Sequence, residues 1–174
     1  MIELKTKVKR LGAFACFVFL ISIFFPFLQA VWQGGGIPEI RSGTENFWSF
    51  RITYEITYSG RGLAVDEYWY FDYWFLMTPH FEVLERWAGP VLILTLASQI
   101  LVLLFSALAI LLDKGQLFLF SISLNAVALF CMSLLTYTLH HDYERYPAVG
   151  FWLTLLAAVL FVVAFFTTSG RWER

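Results

Sequence analysis

Charged residues are scarce in this chain. Only 14% of its 174 residues are Asp, Glu, Lys or Arg, whereas soluble domains usually carry about 25%. Hydrophobic residues make up 59%, aromatic residues 20%, and the mean hydropathy is +0.68. Water therefore cannot be the main solvent of the folded chain. Because no basic run is long enough to contact a phosphate backbone, nothing indicates a nucleic-acid partner.

Recognisable catalytic motifs are also missing. The sequence contains no G-x-S-x-G, no H-E-x-x-H and no phosphate-binding loop. It has no C-x-x-C either, so the quinone-linked thiol oxidases of four-helix design match it poorly. We therefore predict no catalytic residue and no cofactor, and we expect a protein that is not an enzyme.

Long apolar stretches without any charge occur four times, at residues 11–32, 88–112, 115–139 and 146–170. A helix needs about 20 apolar residues to cross a bilayer, so each stretch predicts one transmembrane helix. The basic residues before the first stretch are typical of a signal peptide. Its apolar run exceeds the usual length of about 7–15 residues, so we expect this helix to be retained. The predicted fold class is an all-α four-helix transmembrane bundle, whose last three helices are antiparallel neighbours because short connections join them.

Positive charge is concentrated on one side of these four helices. Residues 1–10, the turn at 113–114 and the tail at 171–174 contain Lys5, Lys7, Lys9, Arg10, Lys114, Arg171 and Arg174. Short cytoplasmic segments are enriched in Lys and Arg. Both termini are therefore predicted to be cytoplasmic, and residues 33–87 and 140–145 extracellular. We expect a multi-pass protein of the cell membrane, in contact with the lipid bilayer.

The only two cysteines, Cys16 and Cys131, each lie inside a predicted helix. At 1.5 Å per residue they lie about 8 Å and about 24 Å from the cytoplasmic helix ends. A disulfide requires Cα atoms within about 7 Å of each other, so we expect no intramolecular disulfide.

The long outer segment carries a strand pattern. Over residues 48–58, aromatic and β-branched residues alternate with polar ones, which predicts a β-strand. Residues 59–62 predict a turn, and a second aromatic run follows over 63–76. Pairing the two runs about that turn places Ile52 opposite Trp69 and predicts an extracellular antiparallel hairpin with one apolar face.

A two-stranded hairpin alone is marginally stable in water. Its apolar face must therefore contact the helix ends, lipid headgroups, a third strand from residues 37–41, or another protein.

Five aromatic residues in this segment are candidates for binding a partner. Tyr and Trp are enriched at the energetically dominant positions of protein interfaces. The candidates are Trp48, Phe50, Trp69, Tyr70 and Trp74. An aromatic belt at the membrane surface, or the binding of a small ligand or a glycan, would explain the same composition, so these alternatives stay open.

The three histidines, His80, His140 and His141, are predicted to lie near the outer membrane surface beside several carboxylates. Imidazole and carboxylate groups can bind zinc or copper. Adjacent histidines seldom reach one metal without a bent backbone, and no H-x-H or H-x-x-x-H spacing occurs. The sequence favours histidines that hydrogen-bond water or headgroups over a metal site.

Small and polar residues recur at helical spacing within each predicted helix. The polar members that we expect to pack inside the bundle are Gln29, Gln99, Ser106, Asn125 and Thr154. In lipid, such residues permit close helix packing and hydrogen bonds between helices. No charged residue lies inside any predicted span, whereas intramembrane charge usually marks an ion or proton pathway. The pattern therefore favours packing over transport.

This layout resembles the claudin-like tetraspan proteins, which have four helices, cytoplasmic termini, a long first outer loop with β-strands and a short second one. The corresponding parts here are residues 11–32, 48–76 and 140–145. The resemblance covers nearly the whole chain at the level of topology. The family's Trp-Gly-Leu-Trp run and its loop disulfide are not present. The resemblance implies a non-enzymatic protein that assembles laterally or accompanies a larger membrane complex.

Three functions follow as hypotheses. The first is a structural or accessory subunit whose outer aromatic loop docks a partner or a second copy, in a homo-oligomer or a larger membrane complex. The second is a transporter or channel component with a path along the polar bundle residues. The third is a membrane enzyme with a metal held by the outer histidines.

Overall fold

The computed structural model describes residues 2–33, 40–49, 51–58, 62–69, 88–112, 114–138 and 144–169. In this part of the chain, the helices are α1 (Ile2–Ile23), α2 (Ala88–Leu111), α3 (Leu117–Thr138) and α4 (Val149–Ser169). The strands are β1 (Leu28–Gln33), β2 (Ile40–Phe47), β3 (Arg51–Tyr58), β4 (Gly62–Trp69) and β5 (Glu144–Pro147).

Three of the helices are long and apolar enough to cross a membrane. The qualifying stretches are Pro90–Leu111, Leu117–Leu134 and Val149–Thr167. Large apolar side chains cover their outer surfaces, and Phe130 and Phe166 are each 66% exposed. Monomeric soluble proteins rarely expose such extended apolar surface. The chain is therefore mostly helical, and three of the four predicted apolar runs form helices that are long and apolar enough to cross a membrane.

The first helix differs most from the sequence prediction. It ends at Ile23, whereas the apolar run predicted a helix over residues 11–32. Pro26 explains the difference, because it has no N–H to donate and disfavours helical geometry in the residue before it. The chain turns and continues as β1, so the prediction of helix through residue 32 is wrong. For the same reason Gln29 lies in a strand and not in a helix.

The amino-terminal half of α1 contains the basic residues of the chain's start. Its charge-free part covers residues 11–23 and rises about 20 Å. The hydrocarbon core of a bilayer is about 30 Å thick. The charge-free part of α1 is therefore shorter than the hydrocarbon core, and α1 is not one of the three helices identified above as able to cross a membrane.

The four helices pack in a closed ring, in which α1 contacts α2 and α4, and α3 also contacts α2 and α4. Buried residues recur at alternating intervals of three and four, which is typical of helices crossing at about 20°. They are Gly12, Ala15, Phe19 and Ser22 on α1; Thr95, Gln99, Val102, Ser106 and Ala109 on α2; Phe118, Ser121, Asn125, Ala128 and Met132 on α3; and Gly150, Thr154, Ala157, Phe161 and Ala164 on α4.

The strands form one antiparallel sheet in the order β4-β3-β2-β1-β5. Four strands come from the segment between α1 and α2, and β5 comes from the connection between α3 and α4. The sequence predicted a hairpin and suggested a third strand over residues 37–41; β2 lies further along, at Ile40–Phe47. The predicted fourth helix was given residues 146 to 148, but Tyr146 and Pro147 belong to β5, so α4 begins at Val149.

The register of the β3–β4 hairpin is shifted by one residue from the prediction. Ile52 lies opposite Tyr68, and Tyr58 lies opposite Gly62. Gly62 therefore belongs to β4 and not to the predicted turn at 59–62. Loop length fixes the register of a hairpin, so the predicted pairing of Ile52 with Trp69 is wrong. The predicted continuation of the second strand over residues 70–76 lies outside the described residues.

Two apolar clusters make up the core. The upper cluster joins the sheet to the helix ends and consists of Phe27, Leu28, Ala30, Phe47, Leu92 and Met132, with Val91 and Phe151 packed against it. The lower cluster lies within the bundle and contains Ala15, Val18, Phe19, Val102, Ala109, Phe118, Ala157, Phe161 and Ala164. The sheet therefore rests on its own bundle through β1 and β2.

Candidate functional site

A layer of polar side chains lies between the two apolar clusters. Each helix contributes one residue to it: Ser22 from α1, Gln99 from α2, Asn125 from α3 and Thr154 from α4. Gln99, Asn125 and Thr154 are 0% exposed and Ser22 is 2% exposed. On α2, α3 and α4 the polar residue lies between residues of the upper and lower clusters or residues packed against them, and Ser22 on α1 lies along the chain between Phe19 of the lower cluster and Phe27 of the upper one. We call these four residues the polar layer.

Hydrogen bonds connect three helices within the polar layer. The Asn125 Nδ2 donates to the backbone carbonyl of Thr154 over 3.3 Å. The Thr154 hydroxyl lies 3.1 Å from the Ser22 hydroxyl oxygen and 2.8 Å from the Gly150 carbonyl oxygen. Ser22 itself donates to the Phe19 carbonyl over 2.6 Å. These contacts link α1, α4 and α3.

Contacts elsewhere in the bundle fix the level of Gln99. The Ser106 hydroxyl donates to the Cys16 sulfur over 3.4 Å, which places those two positions side by side on the antiparallel helices α2 and α1. From Cys16, two turns toward the carboxyl end of α1 lead to its last residue, Ile23. From Ser106, two turns toward the amino end of α2 lead to Gln99. Gln99 therefore lies at the level of Ser22.

A second contact relates Gln99 to α3. Thr95 of α2 and Cys131 of α3 are hydrogen-bond partners. Because the two helices are antiparallel, one turn toward the carboxyl end of α2 and one turn toward the amino end of α3 bring Gln99 level with Val127. Asn125 lies two residues from that position, or about 3 Å along the helix axis. Gln99 and Asn125 are therefore close in depth on neighbouring helices.

The two amide side chains are incompletely paired. Among the described residues, Gln99 Nε2, Gln99 Oε1 and Asn125 Oδ1 are buried and have no hydrogen-bond partner. Leaving a buried polar group unpaired costs about 1–3 kcal/mol. The polar layer thus has more hydrogen-bonding capacity than its own contacts use.

Aromatic side chains close the polar layer from below. The ring of Phe161 lies 6.3 Å from that of Phe19 and 6.1 Å from that of Phe118, measured between centroids. Above the layer, the rings of Phe27 and Phe47 lie 6.4 Å apart. In the part of the chain that the structure describes, these rings lie on both sides of the polar layer, and the buried side chains of Thr95 and Ser121 lie one turn above Gln99 and one turn below Asn125.

The sheet and the bundle are joined at a tight junction. The backbone N–H of Gly150 donates to the Pro26 carbonyl over 2.8 Å, and that of Ala148 donates to the Phe27 carbonyl over 3.0 Å. A Cβ atom at position 150 would lie 2.5 Å from the Phe25 carbonyl oxygen and 2.9 Å from that of Pro26. Only glycine allows α4 to approach the end of α1 so closely, because the opposing atoms belong to the backbone.

The structure places the candidate aromatic residues as follows. Trp48 lies between β2 and β3, is half-buried, and donates its Nε1–H to the Thr53 hydroxyl over 3.3 Å. Trp69 is the last residue of β4 and pairs with Arg51. Phe50, Tyr70 and Trp74 lie outside the described residues, so no common surface is defined for the five.

The candidate polar residues divide into two groups. Gln99, Ser106, Asn125 and Thr154 are all fully buried in the bundle, and the polar layer contains all of them except Ser106. Gln29, by contrast, lies in β1, where it pairs with Asn46 and Tyr146. Ser22 belongs to the small and polar stripe of the first predicted helix, on the same helix face as Ala15 seven residues earlier, and it is buried in the bundle.

The candidate metal ligands His80, His140 and His141 lie outside the described residues. Within the described ranges, no group of three or more His, Cys, Asp or Glu residues could hold a metal ion. Cys16 and Cys131 are both free thiols.

No family model matches the chain, and a search of curated proteins gives no match. The fold itself defines a mostly helical protein with three helices long and apolar enough to cross a membrane and a small antiparallel sheet at one end of its helices.

Proposed function

We propose that all four helices span the cell membrane, with both termini in the cytoplasm and the sheet outside the cell. The outer surface of α1 supports its role as the fourth span. Phe14, Phe17 and Leu20 are 54%, 57% and 41% exposed, and α1 completes the ring with α2 and α4. Lysine side chains near a helix end can extend to the membrane surface, which compensates for the short charge-free part of α1.

The charge distribution supports the orientation. Arg10 and Lys114 lie at the bundle end opposite the sheet, because Gly12 lies beside Ile110 and Phe118 at that end. Basic residues at short connections favour the cytoplasmic side.

Within this topology, we propose that the protein is a non-enzymatic structural or accessory subunit, which docks a partner or a second copy through its extracellular aromatic segment. The observation that supports this proposal is the way the sheet is attached to the helices. Strands β1 and β5 continue directly from α1 and into α4, whereas β4 lies three strand positions from β1. At about 4.8 Å per strand, β4 lies about 14 Å from the anchored strand.

A sheet fixed on one side and extended on the other is a rigid support for an aromatic docking surface. Preorganised surfaces lose less conformational entropy on binding. The aromatic residues of the segment, including Trp48 and Trp69, belong to the types enriched in protein interfaces.

The resemblance to claudin-like tetraspan proteins belongs to the same proposal. A sheet that draws four strands from the first connection and one from the short second connection fits that layout. We therefore propose lateral assembly, or association with a larger membrane complex. The transport hypothesis has less support, since no charged side chain is buried among the described residues of the bundle.

Site-specific photo-crosslinking in the native membrane tests the docking proposal. A photoreactive amino acid at position 69, at the end of β4, is expected to crosslink to a protein. The same amino acid at position 152 is the matched control, because Trp152 is 57% exposed on α4 and is expected to crosslink to lipid. Crosslinks from position 69 only to the chain's own helices would contradict docking.

Substitution provides a second test. Trp69→Ser combined with Trp74→Ser is expected to release a co-purifying partner while the helices stay inserted. Trp152→Ser, which removes a tryptophan from the outer surface of the bundle, is expected to leave the complex intact. Equal co-purification of all three proteins would argue against the aromatic segment as the docking surface.

A further inference from the structure

The amide groups of Gln99 and Asn125 set these two residues apart from the rest of the polar layer. Both side chains are fully buried. Gln99 has an unpaired Nε2 and an unpaired Oε1, and Asn125 has an unpaired Oδ1, among the described residues. Buried polar groups are almost always hydrogen-bonded, to protein or to an ordered molecule. The two amides therefore point to a bound species that both donates and accepts hydrogen bonds.

The surroundings restrict what this species can be. It must be small, because both amide side chains are 0% exposed. It must also suit a neutral site, since Ser22, Gln99, Asn125 and Thr154 carry no charge. It has to accept from an amide N–H and donate to a carbonyl oxygen. Water satisfies all of these requirements, and buried water typically makes about 2–4 hydrogen bonds to groups of this kind.

We propose that the polar layer binds water between the Gln99 amide of α2 and the Asn125 carbonyl of α3. The site lies inside the bundle at the level where α1 ends. It completes a network in which Asn125 already contacts Thr154, and Thr154 contacts Ser22. Through the bound water, α2 joins the hydrogen-bonded set formed by the other three helices. This inference does not depend on the proposed docking function.

Water-edited solid-state NMR on the full chain in lipid bilayers tests the proposal without any substitution at the site. The sequence contains one other asparagine, Asn46, which is half-buried in β2. Asparagine labelled with ¹⁵N therefore gives two side-chain amide signals, one from the sheet and one from the polar layer. The methyl group of Ala128, which is 0% exposed on the same helix as Asn125, serves as the dry reference.

The expected result is that magnetisation passes from water to the Asn125 amide at short mixing times, as early as to Asn46 and well before the Ala128 methyl. The Gln99 amide, identified by the loss of its signal in Gln99→Met, should behave in the same way. Transfer to both amides as slow as to Ala128 would overturn the proposal, whether or not the two amides contact each other directly.

A double-mutant cycle provides an independent measurement. Gln99→Met and Asn125→Leu each remove one side of the bridge, so the melting temperature of the double variant should fall by less than the sum of the two single losses. The control pair, Gln99→Met with Ser106→Ala, shares no bridging molecule and should be additive. Additive losses in both pairs would count against a shared water.

Discussion

The approach of α4 to the end of α1 can be tested by adding a single methyl group, in Gly150→Ala. The new Cβ would lie 2.5 Å from the Phe25 carbonyl oxygen, 2.9 Å from that of Pro26 and 3.0 Å from that of Ser22. Ordinary contacts between carbon and a carbonyl oxygen are about 3.3–3.6 Å. Since all three oxygens are backbone atoms, no side-chain rotation relieves the overlap, and α4 must move away from α1.

The expected cost follows from three effects. Overpacking a well-filled interior costs about 1–3 kcal/mol. Moving α4 also weakens the Gly150 N–H to Pro26 and Ala148 N–H to Phe27 hydrogen bonds, each of which contributes about 0.5–1.5 kcal/mol. Alanine regains up to about 1 kcal/mol in helix propensity. The net destabilisation is about 2–3 kcal/mol, which for a chain of this size lowers the melting temperature by roughly 4–12 °C.

Thermal unfolding in detergent, followed by intrinsic tryptophan fluorescence, measures this effect. Gly12→Ala is the matched control, because its added Cβ would meet the end of the Phe118 side chain at 2.6 Å, and a side chain can move. Gly12→Ala should therefore cost clearly less than Gly150→Ala. A Gly150→Ala variant as stable as the unchanged protein, or less affected than Gly12→Ala, would refute the tight backbone junction.

Two further predictions concern the bundle and its orientation. Phe161→Ala removes the ring that contacts Phe19 and Phe118 and should destabilise the protein by about 3 kcal/mol or more. The control Phe166→Ala, at a position 66% exposed, should change the melting temperature little. Equal shifts in the two variants would contradict the buried aromatic cluster. In a variant without cysteines, Asn46→Cys should react with a membrane-impermeant maleimide on intact cells, and Lys114→Cys only after permeabilisation. The reverse pattern would overturn the orientation.

The three later helices are accessible to sequence reasoning because each is a continuous apolar run and short connections join one to the next. Hydrophobicity over about 20 residues is a strong signal, and α2 covers Ala88–Leu111 of the run at 88–112. Burial at the polar positions follows from the same logic. The alternating spacing that places Gln99, Asn125 and Thr154 in the bundle is visible along the sequence.

The first helix shows where this reasoning fails. Residues 11–32 are predominantly apolar and contain no charge, and apolarity alone does not separate a helix from a buried strand. Pro26 carries the missing information, as a residue that ends helical geometry. A prediction that gave the backbone constraint of Pro26 more weight than the hydropathy would have ended α1 before Pro26 and allowed β1.

The sheet is harder to predict because its pairings are not local. Strand β5 has four residues, too few for an alternating pattern to be recognised, and it pairs with β1 more than 100 residues earlier. The hairpin register depends on whether the loop has three or four residues, and Gly62 could belong to either. Whether a buried polar group such as the Gln99 amide has a hydrogen-bond partner also depends on the relative depths of neighbouring helices. The residue spacing within one helix does not supply those depths.

The pairing of β1 with β5 has a consequence for synthesis of the chain. Strand β1 follows the first helix, but its outer edge is covered only when residues 144–147 have been made and α4 has docked with Gly150 against the end of α1. Until that moment a nascent chain presents an open strand edge, which is a template for pairing with other chains. The docking of α4 therefore completes the sheet that begins after α1. A chain truncated before α4 would be exposed to aggregation and quality control even with its other three helices inserted.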